Sequence, residues 1–380
     1  MNDHGERAPR PVPLTVGMEE EFLLLDAVTG HPVPAGPVIA STCSVPAPMR
    51  VQAELHTVQL ELVSGVCSGL DELRRQLRLG RSVLAAEAAE RGCRLVPMGV
   101  LPLGHVGIEA LTPAVRYLSM LDNYRGLLDD VCTAGAHVHV GVDGVEAAVK
   151  VCNRVRQWLP TLLALFSNSP LCNGRDTGYA SWRTVVWSRW PTAGPPPHLE
   201  GAHGYRRMID DLVGGAASVD PGTVYWYVRP SSCWPTVEFR FADVSLTVEE
   251  EALLAALCRG LVGTALQEPD ETPAAPLGDQ HLRAACWRAA RDGLVDSRTG
   301  TDPVVASAET WHAVDDLVRH VRSALVDFGD EKFVDGMINW LKEHGNGASR
   351  QRRIFSVSPD ILNVIDYAAT SVTDSTVPIL

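Results

Sequence analysis

Four short segments carry carboxylate, imidazole or guanidinium groups at alternate positions, the spacing that turns side chains to one face of a β-strand. In GMEEEF, Glu19 and Glu21 share a face, while Glu20 turns the other way beside Met18 and Phe22 and should matter little to any chemistry. Two carboxylates facing the same way in an apolar strand repel each other unless a cation or a proton sits between them. TVQLELV pairs Gln59 with Glu61, GAHVHVG pairs His137 with His139, and TVEFRF pairs Glu238 with Arg240, with Asp243 just beyond. Each taken singly has an ordinary explanation: a solvent-facing strand edge, core or surface histidines, a structural ion pair. A curved sheet could converge all four, so that Glu19, Glu21, Glu61, His137 and Glu238 line one cavity. That set is rich in hard oxygen donors and has no thiolate, which favours Mg²⁺ or Mn²⁺ over structural zinc.

Such a centre suits phosphoryl transfer, in which metals bridge nucleotide phosphates and arginines neutralise the transferring group. Arginines are at hand: Arg229 in YVRPSS, Arg240, Arg183 in YASWR, and Arg350, Arg352 and Arg353 in GNGASRQRR. Neither a GxxxxGK[ST] loop nor a strand-borne GxGxxG occurs, so bound ATP would be held by metals and arginines instead. The rival chemistry is a metal hydrolase that activates water with HxH and carboxylates; it needs no nucleotide and leaves the arginines without a part.

These residues must be held by strands, and the sequence offers six: 15–26, 57–64, 95–100, 137–142, 226–230 and 236–242, each short and bounded by Gly, Pro or Asp. Their irregular spacing lacks a βαβ rhythm and predicts an antiparallel or mixed sheet. Helices are expected over 69–91, with Ser68 and Asp71 in capping-box spacing, and over 145–166, bent at Pro160. From Thr247, which with Glu250 makes a second capping box, the pattern turns helical: about 248–266, 279–292, 308–328, 330–344 and 359–369, with a proline-rich link at 268–278. The reading is an α+β protein: a loose, disordered tail at 1–13, then one catalytic domain over 14–372, sheet-rich to 246 and helical from 247.

The 380 residues carry 33 basic and 46 acidic side chains, a net charge of −13, which opposes binding to nucleic acid or to anionic membranes. No apolar run is long enough to span a bilayer, and the N-terminus has no signal-peptide core. Nine cysteines, none closer than 20 positions to the next, exclude CxxC motifs and argue for reduced thiols in the cytoplasm.

GMEEEF, QLELV, GAHVHVG, FSNSP, DTGYASWR, WPTAGPP, VRPSSCWPTVEFRFAD, WRAARDGL and GNGASRQR stand in this order between residues 17 and 352. Together they resemble the bacterial carboxylate-amine ligases related to glutamate-cysteine ligase type 2. The resemblance implies the glutamine synthetase-like fold, a curved antiparallel sheet with helices behind it binding Mg-ATP. It also implies ATP-dependent amide formation between the γ-carboxylate of glutamate and an amine such as cysteine, and a homodimer. Carried over residue by residue, it makes Glu19, Glu21, Glu61, His137 and Glu238 metal ligands and sets His139 near the nucleotide or acyl phosphate. Arg229 and Arg240 become the clamp on the phosphoryl group, and Asn168, Arg183, Arg350 and Arg352 further nucleotide contacts. A relative that keeps the fold without catalysis is the other alternative; loss of a metal-facing Glu would favour it, and all are present. The sequence departs from the family pattern at Ser64 and Gly65, at Ala285 and Cys286, and at Asp292. Those departures predict an acceptor other than cysteine.

Overall fold

The computed structural model describes residues 14–269, 278–294 and 304–373. The expected tail at 1–13 and most of the link at 268–278 lie outside these residues.

Alternation of apolar and polar side chains builds the sheet. Its strands are β1 (Val16–Asp26), β2 (Arg50–Ala53), β3 (Gln59–Val63), β4 (Cys93–Val96) and β5 (Gly135–Gly141). A two-residue ribbon, β6 (Leu171–Cys172) and β7 (Arg175–Asp176), stands apart; β8 (Val228–Pro230) and β9 (Thr236–Asp243) complete the sheet. The path runs β2-β3-β1-β5-β9-β8, with β4 joined to the C-terminal half of β1, and every pairing is antiparallel. Opposite β5, where Ala136 pairs with Ala242 and Val138 with Phe239, β9 holds one extra residue, a bulge that bends the strand beside Arg240.

The helices are α1 (Gly36–Thr42), α2 (Leu70–Ala89), α3 (Val115–Tyr124), α4 (Gly144–Val155), α5 (Leu159–Leu165), α6 (Trp182–Trp187) and α7 (Gly201–Gly214). After the last strand follow α8 (Val248–Gln267), α9 (Asp279–Asp292), α10 (Val304–Phe328), α11 (Glu331–His344), α12 (Gly347–Val357) and α13 (Ile361–Ser371). The apolar face of the sheet, with Met18, Ala136, Val138, Val140, Phe239 and Phe241, is buried against this layer. α8 runs along the back of β1 and β5 and is covered by α2, α4, α10 and α11, so it is apolar on nearly every side.

The acidic run at the start of α8 would be costly in that position without partners. Each carboxylate has one: Glu249 meets Arg78, Glu250 meets Arg350, and Glu251 lies 3.7 Å from Arg81. The Thr247 and Glu250 capping box forms as expected. The one at Ser68 does not, because Glu72 reaches back first and accepts from Ser68 N and Oγ at 2.9 and 3.1 Å, leaving Gly69 as the cap. Pro160 starts a helix rather than bending one: α4 stops at Val155, a tight turn spans Arg156–Trp158, and Pro160 sits in the first turn of α5. Strand β2 has no counterpart in the sequence reading, since four half-exposed edge residues carry too little pattern.

Candidate active site

The register of the sheet lines up the alternating groups. Glu21 stands opposite Glu61, Glu19 opposite His137, His139 opposite Glu238, and Glu238 opposite Arg229. Directly paired residues in an antiparallel sheet project to the same side. The eight side chains Glu19, Glu21, Glu61, His137, His139, Arg229, Glu238 and Arg240 therefore line one cleft of about 600 Å³.

Glu19 sits at the centre. Its Oε2 lies 2.9 Å from His137 Nδ1 and its Oε1 3.4 Å from His139 Nε2. Two groups of donor atoms share it: Glu19, His139 and Glu238, and Glu19, Glu61 and His137, in each of which the atoms lie within 4.8 Å of one another. His137 Nε2 and His139 Nε2 are buried without a hydrogen-bond partner among the described residues. Orphaned imidazole nitrogens facing carboxylates fit divalent cations, and two cations at these positions would use both.

Electrostatics follow from burial. Burial raises the Glu61 carboxyl, and the charges of Glu19, Glu54 and Glu21 raise it further. Glu21 is pushed up to about 8 by burial and by Glu54, although Gly135 N donates to it at 2.6 Å. At Glu19 burial is outweighed by the hydrogen bond with His137 and the nearness of His139, and at Glu238 by Arg229 and Arg240, so both are held well below the ordinary carboxylate range. His137 falls to about 4 through burial and the Arg240 charge.

The two arginines differ in how far they are committed. Arg229 donates Nε and Nη2 to Glu238 at 3.0 and 3.2 Å and Nη1 to the carbonyls of Val224, Gly222 and Pro221. Its fork is engaged by Glu238 and a loop, which sets it apart from the open phosphate clamp expected of it. Arg240 bonds Glu238 through Nη1, and its Nε is without a partner among the described residues.

Four residues expected at the nucleotide lie elsewhere. Asn168 donates to Pro97 O and Val244 O and accepts from Gln351, holding loops together. Arg183 is buried beneath β9, directed at the carbonyls of Phe241 and Arg240 and stacked on Trp187. Arg350 pairs with Glu250, and Arg352 with Asp176. Arginine type alone does not distinguish a ligand clamp from a structural contact: Arg350 is held in a buried ion pair, Arg352 in a partly exposed one, and Arg183 by backbone carbonyls. The departures at Ser64, Gly65, Ala285, Cys286 and Asp292 also lie outside the cleft lining: Ser64 Oγ accepts from Met18 N, Cys286 is core, and Asp292 pairs with Arg291. They give no reason to expect an altered acceptor.

Sequence reading missed Gln52, which donates to Glu61, and Glu54, which accepts from Tyr117 at 2.6 Å; the alternation of QAE carried that signal. Arg116 and Asp220, from α3 and from the turn before β8, also line the cleft and had no signal of their own.

The family model described as glutamate-cysteine ligase family 2 matches residues 15–362. The chain belongs to this family. It is 45% identical over 356 residues to the "Putative glutamate--cysteine ligase 2-1" of Saccharopolyspora erythraea, covering 93% of each chain. With the "Putative glutamate--cysteine ligase 2-3" of Mycolicibacterium smegmatis the identity is 39% over 358 residues, 94% of this chain and 98% of the other. Among solved structures, a glutamate–cysteine ligase from Francisella tularensis in complex with AMP gives a TM-score of 0.62 at 11% identity, covering 97% of this chain and 91% of that one. A bifunctional glutathione synthetase from Pasteurella multocida gives 0.59 at 14%, covering 94% and 52%. The α+β architecture of this family member is the glutamine synthetase-like ligase fold, an antiparallel sheet with helices packed on one side. No described helix of the family member is long and apolar enough to cross a membrane.

Proposed function

We propose that the chain is an ATP-dependent carboxylate–amine ligase that joins the γ-carboxylate of glutamate to an amine, cysteine by default, through γ-glutamyl phosphate. The observation that carries this reading is the pair of donor clusters sharing Glu19, set beside a guanidinium with a free donor. A carboxylate does not acylate an amine unaided, so the acid must first be activated. Glu19, His139 and Glu238 on one side and Glu19, Glu61 and His137 on the other, with Glu21 alongside, would hold Mg²⁺ or Mn²⁺, which would supply neutralisation of the negative charge on the ATP phosphates. Arg240 lies where it can meet the phosphoryl group as the donor carboxylate attacks, reducing the repulsion between two anions. Arg229 keeps Glu238 ionised and aimed. Gln52 holds the Glu61 side chain in place. The amine then attacks the acyl phosphate and releases phosphate; no side-chain nucleophile is needed, and most of the cysteines are buried away from the cleft.

The test is incubation with ATP, Mg²⁺, glutamate and a panel of amines, with nucleotide products and new amides read by mass spectrometry. Glutamate-dependent ADP and phosphate are expected. Release of AMP and pyrophosphate would refute the acyl phosphate, and metal-dependent hydrolysis without nucleotide would favour the hydrolase.

A further inference from the structure

We propose that the Arg116–Asp220 ion pair is the receptor for the amino-acid end of the donor, Arg116 taking the α-carboxylate and Asp220 the α-ammonium; this rests on the ligase reading above and deepens it. The two residues come from α3 and from the turn ahead of β8, and both line the cleft. Arg116 Nε lies 3.2 Å from Asp220 Oδ2 and Nη2 3.3 Å from Oδ1. Their side chains remain 52% and 38% exposed, whereas those of Arg229, Arg240 and Glu238 are at 11% or less. An ion pair this open contributes roughly 0–1 kcal/mol, so a ligand can part it at little cost.

The backbone beneath the pair is built for precision. Asp220 Oδ1 accepts from Thr223 N at 2.9 Å, and Asp220 N donates to Thr223 Oγ1 at 3.0 Å. Behind the turn, Arg229 ties the carbonyls of Pro221, Gly222 and Val224 to the side chain that also holds Glu238. A Cβ on Gly222 would come within 2.8 Å of Arg116 Nη2, so a side chain at this position would press on the guanidinium and shift it. The receptor and a candidate metal ligand are thus fixed by one arginine.

The chemistry distinguishes donor from acceptor. A donor that reacts through its side-chain carboxylate keeps both α-charges throughout, one for each member of the pair. An acceptor that reacts through its α-amine has no ammonium at the moment of attack, and Asp220 would face nothing.

The experiment compares glutamate with glutarate, which lacks the ammonium, as donors for the wild type, Asp220→Asn and Arg116→Gln, with KM for ATP and for the acceptor measured in each. Asp220→Asn should raise KM for glutamate about tenfold and leave glutarate unchanged, as expected for loss of one charge-assisted contact. Arg116→Gln should raise KM for both donors, and KM for ATP should stay within about twofold in each variant. Asp220→Asn preserves volume and Arg116→Gln shortens a side chain at an open position; should either fail to fold by calorimetry, Gly222→Ala, which pushes on Arg116 from below, should still raise KM for glutamate. An unchanged glutamate KM, or a shift in the acceptor's KM instead, overturns the proposal while wild-type turnover stands. Wild-type protein without any glutamate-dependent ADP release overturns the ligase reading itself, and the proposal with it.

Discussion

Replacing Glu20 by Gln should unsettle the fold and spare the chemistry, whereas the same change one residue earlier should do the reverse. Glu20 and Arg81 are both fully buried behind the sheet. Arg81 donates Nε and Nη2 to Glu20 Oε1 at 2.9 and 2.6 Å, and also reaches Leu246 O and Ser245 O at 2.8 and 3.0 Å. Removing one member of a buried pair typically costs about 3–5 kcal/mol, because the other is left as an uncompensated charge. Here the loss should fall at the low end. Glu251, 3.7 Å from Arg81, is pushed up to about 8 by burial and by Glu20, so neutralising Glu20 lets it ionise and take over. An unfolding entropy of about 2.1 cal/mol/K per residue gives this 380-residue chain about 0.8 kcal/mol/K, so ~3 kcal/mol lowers Tm by about 4 °C. Calorimetry should show that drop for Glu20→Gln, and a larger one when Glu251→Gln is added, while kcat per folded molecule stays within about twofold. Glu19→Gln should leave Tm almost unmoved and abolish most turnover. If Glu20→Gln lost turnover as Glu19→Gln does, with Tm unchanged, the placement of β1's faces would be wrong.

Glu61→Gln and Glu238→Gln should each lower kcat by two orders of magnitude or more, as removal of a metal-shell charge does; turnover within tenfold of wild type would exclude the residue from the shell. Arg240→Lys should reduce kcat with little change in Mg²⁺ affinity, whereas Arg229→Lys should weaken Mg²⁺ binding and raise KM for glutamate, since lysine cannot hold Glu238 and three carbonyls at once. Steady-state kinetics with calorimetric Mg²⁺ titrations would separate the two. Mg²⁺ affinity should rise with pH through about 8, because the carboxyls of Glu21, raised by burial and Glu54, and of Glu61, raised by burial and Glu19, must lose their protons to face a cation. Titrations in buffers of different ionisation enthalpy should register proton release below that pH, and a flat profile between pH 6 and 9 would count against it.

Much of the site was legible before any fold existed, for a local reason. The pleat repeats every two residues, so Glu19 with Glu21, His137 with His139, and Glu238 with Arg240 share a face whatever their neighbours are. The helical run after Thr247 was equally readable, because a capping box and 3.6-residue periodicity are properties of adjacent residues. Tertiary structure alone decided which strands are neighbours, and with them that Glu19 stands between His137 and Glu61 and is shared by two donor clusters. It also decided the fate of the arginines. Arg183, Arg350 and Arg352 look like Arg240 in the sequence, yet their partners are a β9 carbonyl, Glu250 and Asp176, each more than 50 residues away. Arg116 meets Asp220 across 104 positions. A guanidinium is spent on whichever acceptor the chain brings within hydrogen-bond reach, and that choice is made by packing between distant segments, which no local pattern encodes.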